Sequence, residues 1–237
     1  MIGEKVIWVA TLPSTNDFVK ENWQRLLHGT VVVAQCQTAG RGRYNRYWHS
    51  PEGGLWFSIL FKPRKQIKPT FFTKICSVAI VKALSLIEVY TRIKWPNDIY
   101  YEGKKLAGIL SESVFEENTL KAVIVGIGIN VNNTIPQELR DKAISLHEIS
   151  AKGYDIRRIL RLLLKYVNQL LKRYSNKPEA VTRIWKGLLI QKEGQTITFR
   201  LNEVIKTGKI VKIDDEKIIL EAENQQMQLS SLEILEP

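Results

Sequence analysis

Apolar positions along the chain alternate between two periods. "KVIWVA" (5–10) reads as a first strand. Ser14 then stands as a helix N-cap with Asp17 three residues on, a capping-box arrangement. Val19, Trp23, Leu26 and Leu27 recur at helical spacing, with Gly29 as the stop. "TVVVAQC" (30–36) is a β-branched strand, and "GLWFSILF" (54–61) is apolar without alternation, which predicts burial on both faces. Residues 70–89 read as a largely buried helix. "TRIKW" (91–95) is a short strand stopped by "PND". "KKLAGILSESVF" and "TLKAVIVGIGINV" flank "EENT", which predicts a hairpin.

Beyond residue 150, "YDIRRILRLLLKYVNQLLKRY" (154–174) carries a stripe from Ile156 through Ile159, Leu160, Leu163, Val167 and Leu170 to Tyr174, the pattern of one long amphipathic helix. A second helix starts near Pro178. From residue 190 the period shortens: "QTITFRL", "KTGKIVKI" and "EKIILEAE" are strands separated by turns. The pattern divides the chain into a mixed unit over 1–189, with strands and helices around one partly antiparallel sheet, and a small all-β unit over 190–237.

Composition adds charge. The chain has 237 residues, with Lys+Arg 35 against Asp+Glu 24, a net +11. That balance favours an acidic partner: nucleic acid, a phosphorylated ligand or an acidic protein. The two cysteines, Cys36 and Cys76, lie in apolar runs and read as reduced core residues. The three histidines are isolated, without metal-ligand spacing. No apolar run reaches the roughly 20 residues of a membrane span, and no signal peptide opens the chain.

The charge is concentrated in "QTAGRGRYNRYW" (37–48), where Arg41, Arg43 and Arg46 are threaded by Gly40 and Gly42 between two apolar strands. Glycine lets backbone amides approach an anion, and arginine supplies planar forks for carboxylate or phosphate oxygens. Taken alone, such a loop also suits an RG-type nucleic-acid contact. "KWPND" places Lys94 and Asp98 across a Pro-fixed turn, and Lys104 and Lys105 open an apolar strand. "GIGIN" alternates glycines through a strand end, yet Val131 stands where the third glycine of a dinucleotide fingerprint belongs.

In this order and spacing, "STN" (14–16), "QTAGRGRYNRYW", "SPEGGLWFS" (50–58), "KWPND" (94–98), "KLAGIL" (105–110) and "GIGINVN" (126–132) resemble the biotin protein ligase family. The resemblance implies an α+β chain: a mixed-sheet catalytic domain of the class II aminoacyl-tRNA synthetase type over 1–189 and an SH3-like β-barrel over 190–237. It implies that biotin and MgATP give biotinyl-5′-AMP, which a lysine of a biotin carboxyl carrier protein then attacks. Ser14, Thr15, Asn16 and Gln37 would bind the ureido end of biotin. Arg41, Gly42 and Arg43 would form the loop over biotin and the acyl phosphate. Arg43 and Arg46 would approach the ATP phosphates, and Trp48 would pack on adenine. Lys105 would meet the biotin carboxylate, Lys94, Asn97 and Asp98 would line the reaction centre, and Asn130 the nucleotide side. Asp98 would orient the incoming amine.

Tyr44 and Asn45 depart from more basic, glycine-rich relatives, which implies a stiffer loop or an added lid. No helix-turn-helix segment precedes the first strand, so DNA binding is not expected. Cytoplasmic location and a strand-edge homodimer are compatible with the reading. The competing readings are a lipoate-type ligase, which carries a different glycine-rich stretch, and a basic nucleic-acid-binding module. The latter needs exposed aromatics among basic residues, whereas Trp56 and Phe57 fall in the apolar strand.

Overall fold

The computed structural model describes residues 1–65, 67–201, 204–214, 216–223, 225–230 and 233–236. Seven strands form one mixed sheet: β1 (Val6–Leu12), β2 (Val31–Gln37), β3 (Leu55–Phe61), β4 (Arg92–Lys94), β5 (Asp98–Tyr101), β6 (Lys104–Glu116) and β7 (Thr119–Ile129). Their order is β1-β2-β3-β7-β6-β5-β4. Only β1 and β2 run parallel; the other pairings are antiparallel. The β6–β7 hairpin turns at Glu117 and Asn118, both at positive φ (47° and 62°), the primed-turn geometry that matches strand twist.

The two faces of the sheet are covered differently, and the side-chain alternation of β3 and β7 explains how. Leu55, Phe57, Ile59 and Phe61, with Val123, Val125, Ile127 and Ile129, join the large core. That core is shared with α2 (Thr70–Ser85), α4 (Ile156–Tyr174) and α5 (Pro178–Leu188). The intervening positions Leu60, Ala122 and Ile124 join a smaller cluster with Val32 and with Val19 of α1 (Thr15–Asn22). Toward the other end of this second face the alternation continues as Trp56 and Ser58 on β3 and as Gly126 and Gly128 on β7, paired Trp56 to Gly128 and Ser58 to Gly126. Apolar residues therefore seat α1, and glycines leave open floor beyond its N-terminus.

A short helix α3 (Leu146–Ser150) follows β7, opened by a full capping box between Ser145 and Glu148. The second sheet is antiparallel and has five strands: β8 (Thr196–Leu201), β9 (Val204–Ile213), β10 (Ile218–Ala222), β11 (Gln225–Leu229) and β12 (Glu233–Glu236), ordered β11-β10-β9-β8-β12. Ile197, Phe199, Ile210 and Ile234 of this sheet belong to the same core as the main sheet. Residues 189 and 190 lie along β4: Ile190 N–H donates to the Ile93 carbonyl at 2.8 Å.

Three local expectations are corrected. The first helix stops at Asn22, short of Leu26 and Leu27, and Leu27 is 70% exposed. The Asn22 amide donates at 2.8 Å to the Phe18 carbonyl, a side-chain bond that competes with the helical ladder. The capping box at Ser14 is half made: Ser14 Oγ accepts from Asp17 N–H at 3.3 Å, but the Asp17 carboxylate is taken by Arg41. Cys76 is a buried core residue, whereas Cys36 is only half-buried.

Phe57 is fully buried on the face away from the open floor. Phe57→Ala should cost about 3–5 kcal/mol, read as a lower denaturant midpoint. A loss under about 1 kcal/mol would mean that this face repacks without it.

Candidate active site

A cavity of about 400 Å³ opens over the glycine end of β6 and β7. Its lining takes in all the residues given a binding or reaction role from the resemblance, Ser14, Thr15, Asn16, Gln37, Arg41, Gly42, Arg43, Arg46, Trp48, Lys94, Asn97, Asp98, Lys105 and Asn130, but not Gly40 or Lys104. Among the described residues the lining carries six Lys and Arg side chains (the sixth is Lys142) and one carboxylate, Asp98. Such a site attracts anions.

The floor depends on missing Cβ atoms. Gly108 and Gly128 are cross-strand partners, and Trp48 lies against both: a Cβ at 128 would sit 2.5 Å from Trp48 Nε1, and one at 108 would sit 3.3 Å from the ring. Lys105 Nζ lies 5.0 Å from the Trp48 ring centroid and pairs with Asp98 Oδ2 at 2.7 Å. Trp48, Lys105 and Asp98 thus stack over two glycines. Asp98 faces Lys94 in the β4–β5 register and pairs with Lys105, and Lys94 lies 4.9 Å over the Tyr100 ring. Burial, with Asp98 nearby, pushes the Tyr100 phenol up to about 12, so it stands neutral at the cavity wall.

A polar network closes the end beside α1. A Cβ at Gly126 would fall 2.2 Å from Asn16 Oδ1. Asn16 Nδ2 donates to Glu112 at 2.7 Å and to the Leu110 carbonyl at 3.3 Å, and its Oδ1 accepts from Ser58 Oγ at 2.6 Å. Gln37 Oε1 accepts from the Thr15 N–H at 2.8 Å and from Thr15 Oγ1 at 3.1 Å, and Gln37 Nε2 donates to Ser50 Oγ at 3.0 Å. Gln37 therefore braces Thr15. At the opposite end Asn130 donates to the Ile144 carbonyl at 3.3 Å and accepts from Asn133 Nδ2 at 3.2 Å. Asn97 Nδ2 donates to the Ile109 carbonyl.

The arginine loop is a hairpin, with Arg41 bridged to Tyr47 and Trp48 N–H donating to the Gly40 carbonyl at 2.9 Å. Tyr44 and Asn45 both take left-handed φ, 57° and 54°, where glycine is ordinarily favoured. Arg43 lies 5.1 Å over the Tyr44 ring and donates to its hydroxyl at 2.9 Å, which anchors that turn. Arg41 grips Asp17 through both nitrogens, at 2.5 and 2.6 Å.

Sequence reasoning missed several contributors. Ser58 is fully buried behind Thr15 and Asn16; a lone hydroxyl in an apolar strand was its signal. Glu112 and Asn133 carry none beyond their polarity. Lys142 and Ile234 line the cavity: residues 142–144 run beside the start of β6, and Ile234 of β12 belongs to the large core; neither is local in sequence.

Two outcomes follow from this geometry. Gly128→Ala should push Trp48 off the floor, seen as a shifted Trp48 resonance in fluorotryptophan NMR with cooperative unfolding preserved; an unmoved resonance would refute the close approach. The Arg41 hydrogen bond, partly opposed by desolvation, holds the Asp17 carboxyl below its ordinary value. A folded pKa below the unfolded one contributes stability above about 3.9, the unfolded value, lost as pH falls through the folded value. Asp17→Asn should therefore lower the melting temperature at pH 7, with the gap to wild type closing in acid below that range. A gap independent of pH would contradict the ion pair.

Comparison with known proteins places this geometry. The model of the Biotin/lipoate A/B protein ligase family matches residues 8–130. The Bifunctional ligase/repressor BirA of Bacillus subtilis (strain 168) is 35% identical over 233 residues, spanning 95% of this chain and 71% of that protein. The Biotin--protein ligase of Homo sapiens is 29% identical over 201 residues, 79% of this chain and 27% of that protein. The solved biotin protein ligase from Aquifex aeolicus in complex with biotin and ATP superimposes with a TM-score of 0.83 at 32% identity, covering 99% of this chain and 100% of that one.

Proposed function

The chain belongs to the biotin/lipoate A/B protein ligase family, and we propose that it joins biotin to a lysine of a carrier protein in two steps. ATP and biotin first give biotinyl-5′-AMP and pyrophosphate; the lysine amine then takes the acyl group and releases AMP. The observation that supports this reading is one continuous cavity whose lining joins Ser14, Thr15 and Asn16 to six Lys and Arg side chains and to Asn130.

The chemistry follows from charge. A carboxylate must attack the α-phosphate of a polyanion, and both repel. Lys105, stacked on Trp48 and paired with Asp98, is placed to draw the biotin carboxylate toward that phosphate. Arg43 and Arg46 add permanent charge at the rim for the phosphates, the electrostatic stabilisation this reaction class needs. Trp48 offers a flat face to adenine. Asp98 is the carboxylate available to orient the attacking amine. Among the described residues no group of three or more His, Cys, Asp or Glu side chains could hold a resident ion; we propose that magnesium arrives on the phosphates of ATP, where it screens their charge.

We further propose that residues 1–189 form the catalytic domain and 190–237 a docking domain that closes the nucleotide end through Ile234, which lines the cavity. The partner would be the carrier domain of a biotin-dependent carboxylase, met in the cytoplasm. None of the described helices is long and apolar enough to cross a membrane. Homodimerisation would use the edge strand β1, since residues 189 and 190 lie along β4.

Lys105→Ala removes one charge-assisted contact, worth about 1.5–3 kcal/mol. Biotin-dependent pyrophosphate release should slow by at least about tenfold while the melting transition stays cooperative. Release at the wild-type rate would remove Lys105 from the reaction.

A further inference from the structure

Arg41 reaches out of the loop between β2 and β3 and ends on two carboxylates carried by other elements. Asp17, in the first turn of α1, receives Nη1 at 2.5 Å and Nη2 at 2.6 Å, one fork on another. Glu112, on β6, receives the same Nη2 at 3.2 Å on Oε2 and 3.4 Å on Oε1. Glu112 is itself fixed, since Asn16 Nδ2 donates to Oε2 at 2.7 Å and Lys20 Nζ to Oε1 at 3.3 Å. The side chains of Arg41, Asp17 and Glu112 are 23%, 39% and 20% exposed, so the trio is only partly screened by water.

This arrangement differs from a cation waiting for a ligand. The acceptors come from α1 and β6, which the rigid sheet and its core hold in place, and two adjacent carboxylates repel unless a cation lies between them. The acceptor therefore belongs to the scaffold, and it fits one guanidinium of a loop. Arg43 and Arg46, the other arginines of that loop, line the cavity, so an anchored Arg41 brings both to the reaction centre.

We infer that Asp17 and Glu112 are positioning residues that seat Arg41, hold residues 40–47 across the mouth of the cavity, and thereby set how long the acyl-adenylate is kept from water and stray amines. The inference rests on the ligase reading for the identity of what is retained, and on the geometry alone for the tether.

Two measurements separate those parts. Hydrogen exchange of the amides of residues 40–47 is compared in substrate-free wild type, Asp17→Asn, Glu112→Gln and Asp17→Glu. Glu112→Gln keeps an oxygen for Asn16, and Asp17→Asn keeps the backbone N–H that Ser14 caps, so neither variant removes the local fold. Exchange should rise about tenfold in both neutral variants, the low end of what a charge-assisted contact contributes, and return toward wild type in Asp17→Glu. Preloaded biotinyl-AMP should leave both neutral variants about tenfold faster, with stray lysines on an unrelated protein labelled as it escapes. Unchanged exchange in both variants overturns the tether. Adenylate loss at the wild-type rate overturns its role in retention, and slower loss from Asp17→Asn does so with a reason: Asp17 would then compete with the ligand for Arg41. A wild type that fails to retain biotinyl-AMP at all would overturn the ligase reading, while the exchange comparison still decides the tether.

Discussion

The site depends on one place where side chains are absent. Gly108 and Gly128 face each other across the β6–β7 pair, and Gly126 lies two positions along the same strand face. Any Cβ at 126 or 128 would come within 2.5 Å of Asn16 or Trp48. Between the large core on one face and α1 on the other, the sheet thereby leaves a trough, and the trough is what lets a tryptophan, a lysine and an asparagine converge on backbone. On the same face, toward the far end of the strands, Ala122 and Ile124 carry the apolar contacts that seat α1. One strand face both locates the helix and leaves room for the ligand in front of it.

Charge is distributed by the same scaffold. The cavity wall is cationic, and the acidic groups that balance it are arranged unequally. Asp98 sits inside, on Lys105; Asp17 and Glu112 sit behind, on Arg41. In the proposed reaction the inner pair would put a lysine before the incoming carboxylate and a carboxylate before the incoming amine. The outer group is structural in effect, since it draws the glycine-flanked loop down onto α1. Forming an acyl-adenylate requires both, because the mixed anhydride is as vulnerable to water as it is reactive toward lysine.

Much of this was legible in the sequence, for local reasons. The unbroken apolar run of β3 announced burial on both faces, the heavy stripe of α4 announced its helix, and "EENT" announced the β6–β7 turn. The alternating glycines of "GIGIN" announced close backbone approach, and five of the six stretches that resemble biotin protein ligases meet in one cavity, while the sixth, 50–58, supplies Ser58 behind Thr15 and Asn16. What escaped was non-local or competitive. Asp17 reads as the reciprocal half of a capping box, but a guanidinium brought from residue 41 outbids a backbone amide for its carboxylate. Asn22 ends the first helix with a side-chain bond that periodicity does not register. Glu112 carries no signal of its role, which arises only when α1 and the loop are folded against it. Lys142 and Ile234 enter the cavity from distant segments, and no spacing rule links them to Lys105.

The central claim is that the trough and its cations accept biotin for adenylation. Biotin and lipoate both present a carboxylate, but only biotin carries a ureido ring to match the hydrogen-bonding end at Ser14, Thr15 and Asn16. ATP–pyrophosphate exchange with each acid separates the two ligase readings at the first half-reaction, without need of a carrier protein. Exchange that requires biotin and is not supported by lipoate is the predicted result; exchange supported by lipoate and not by biotin would contradict the account.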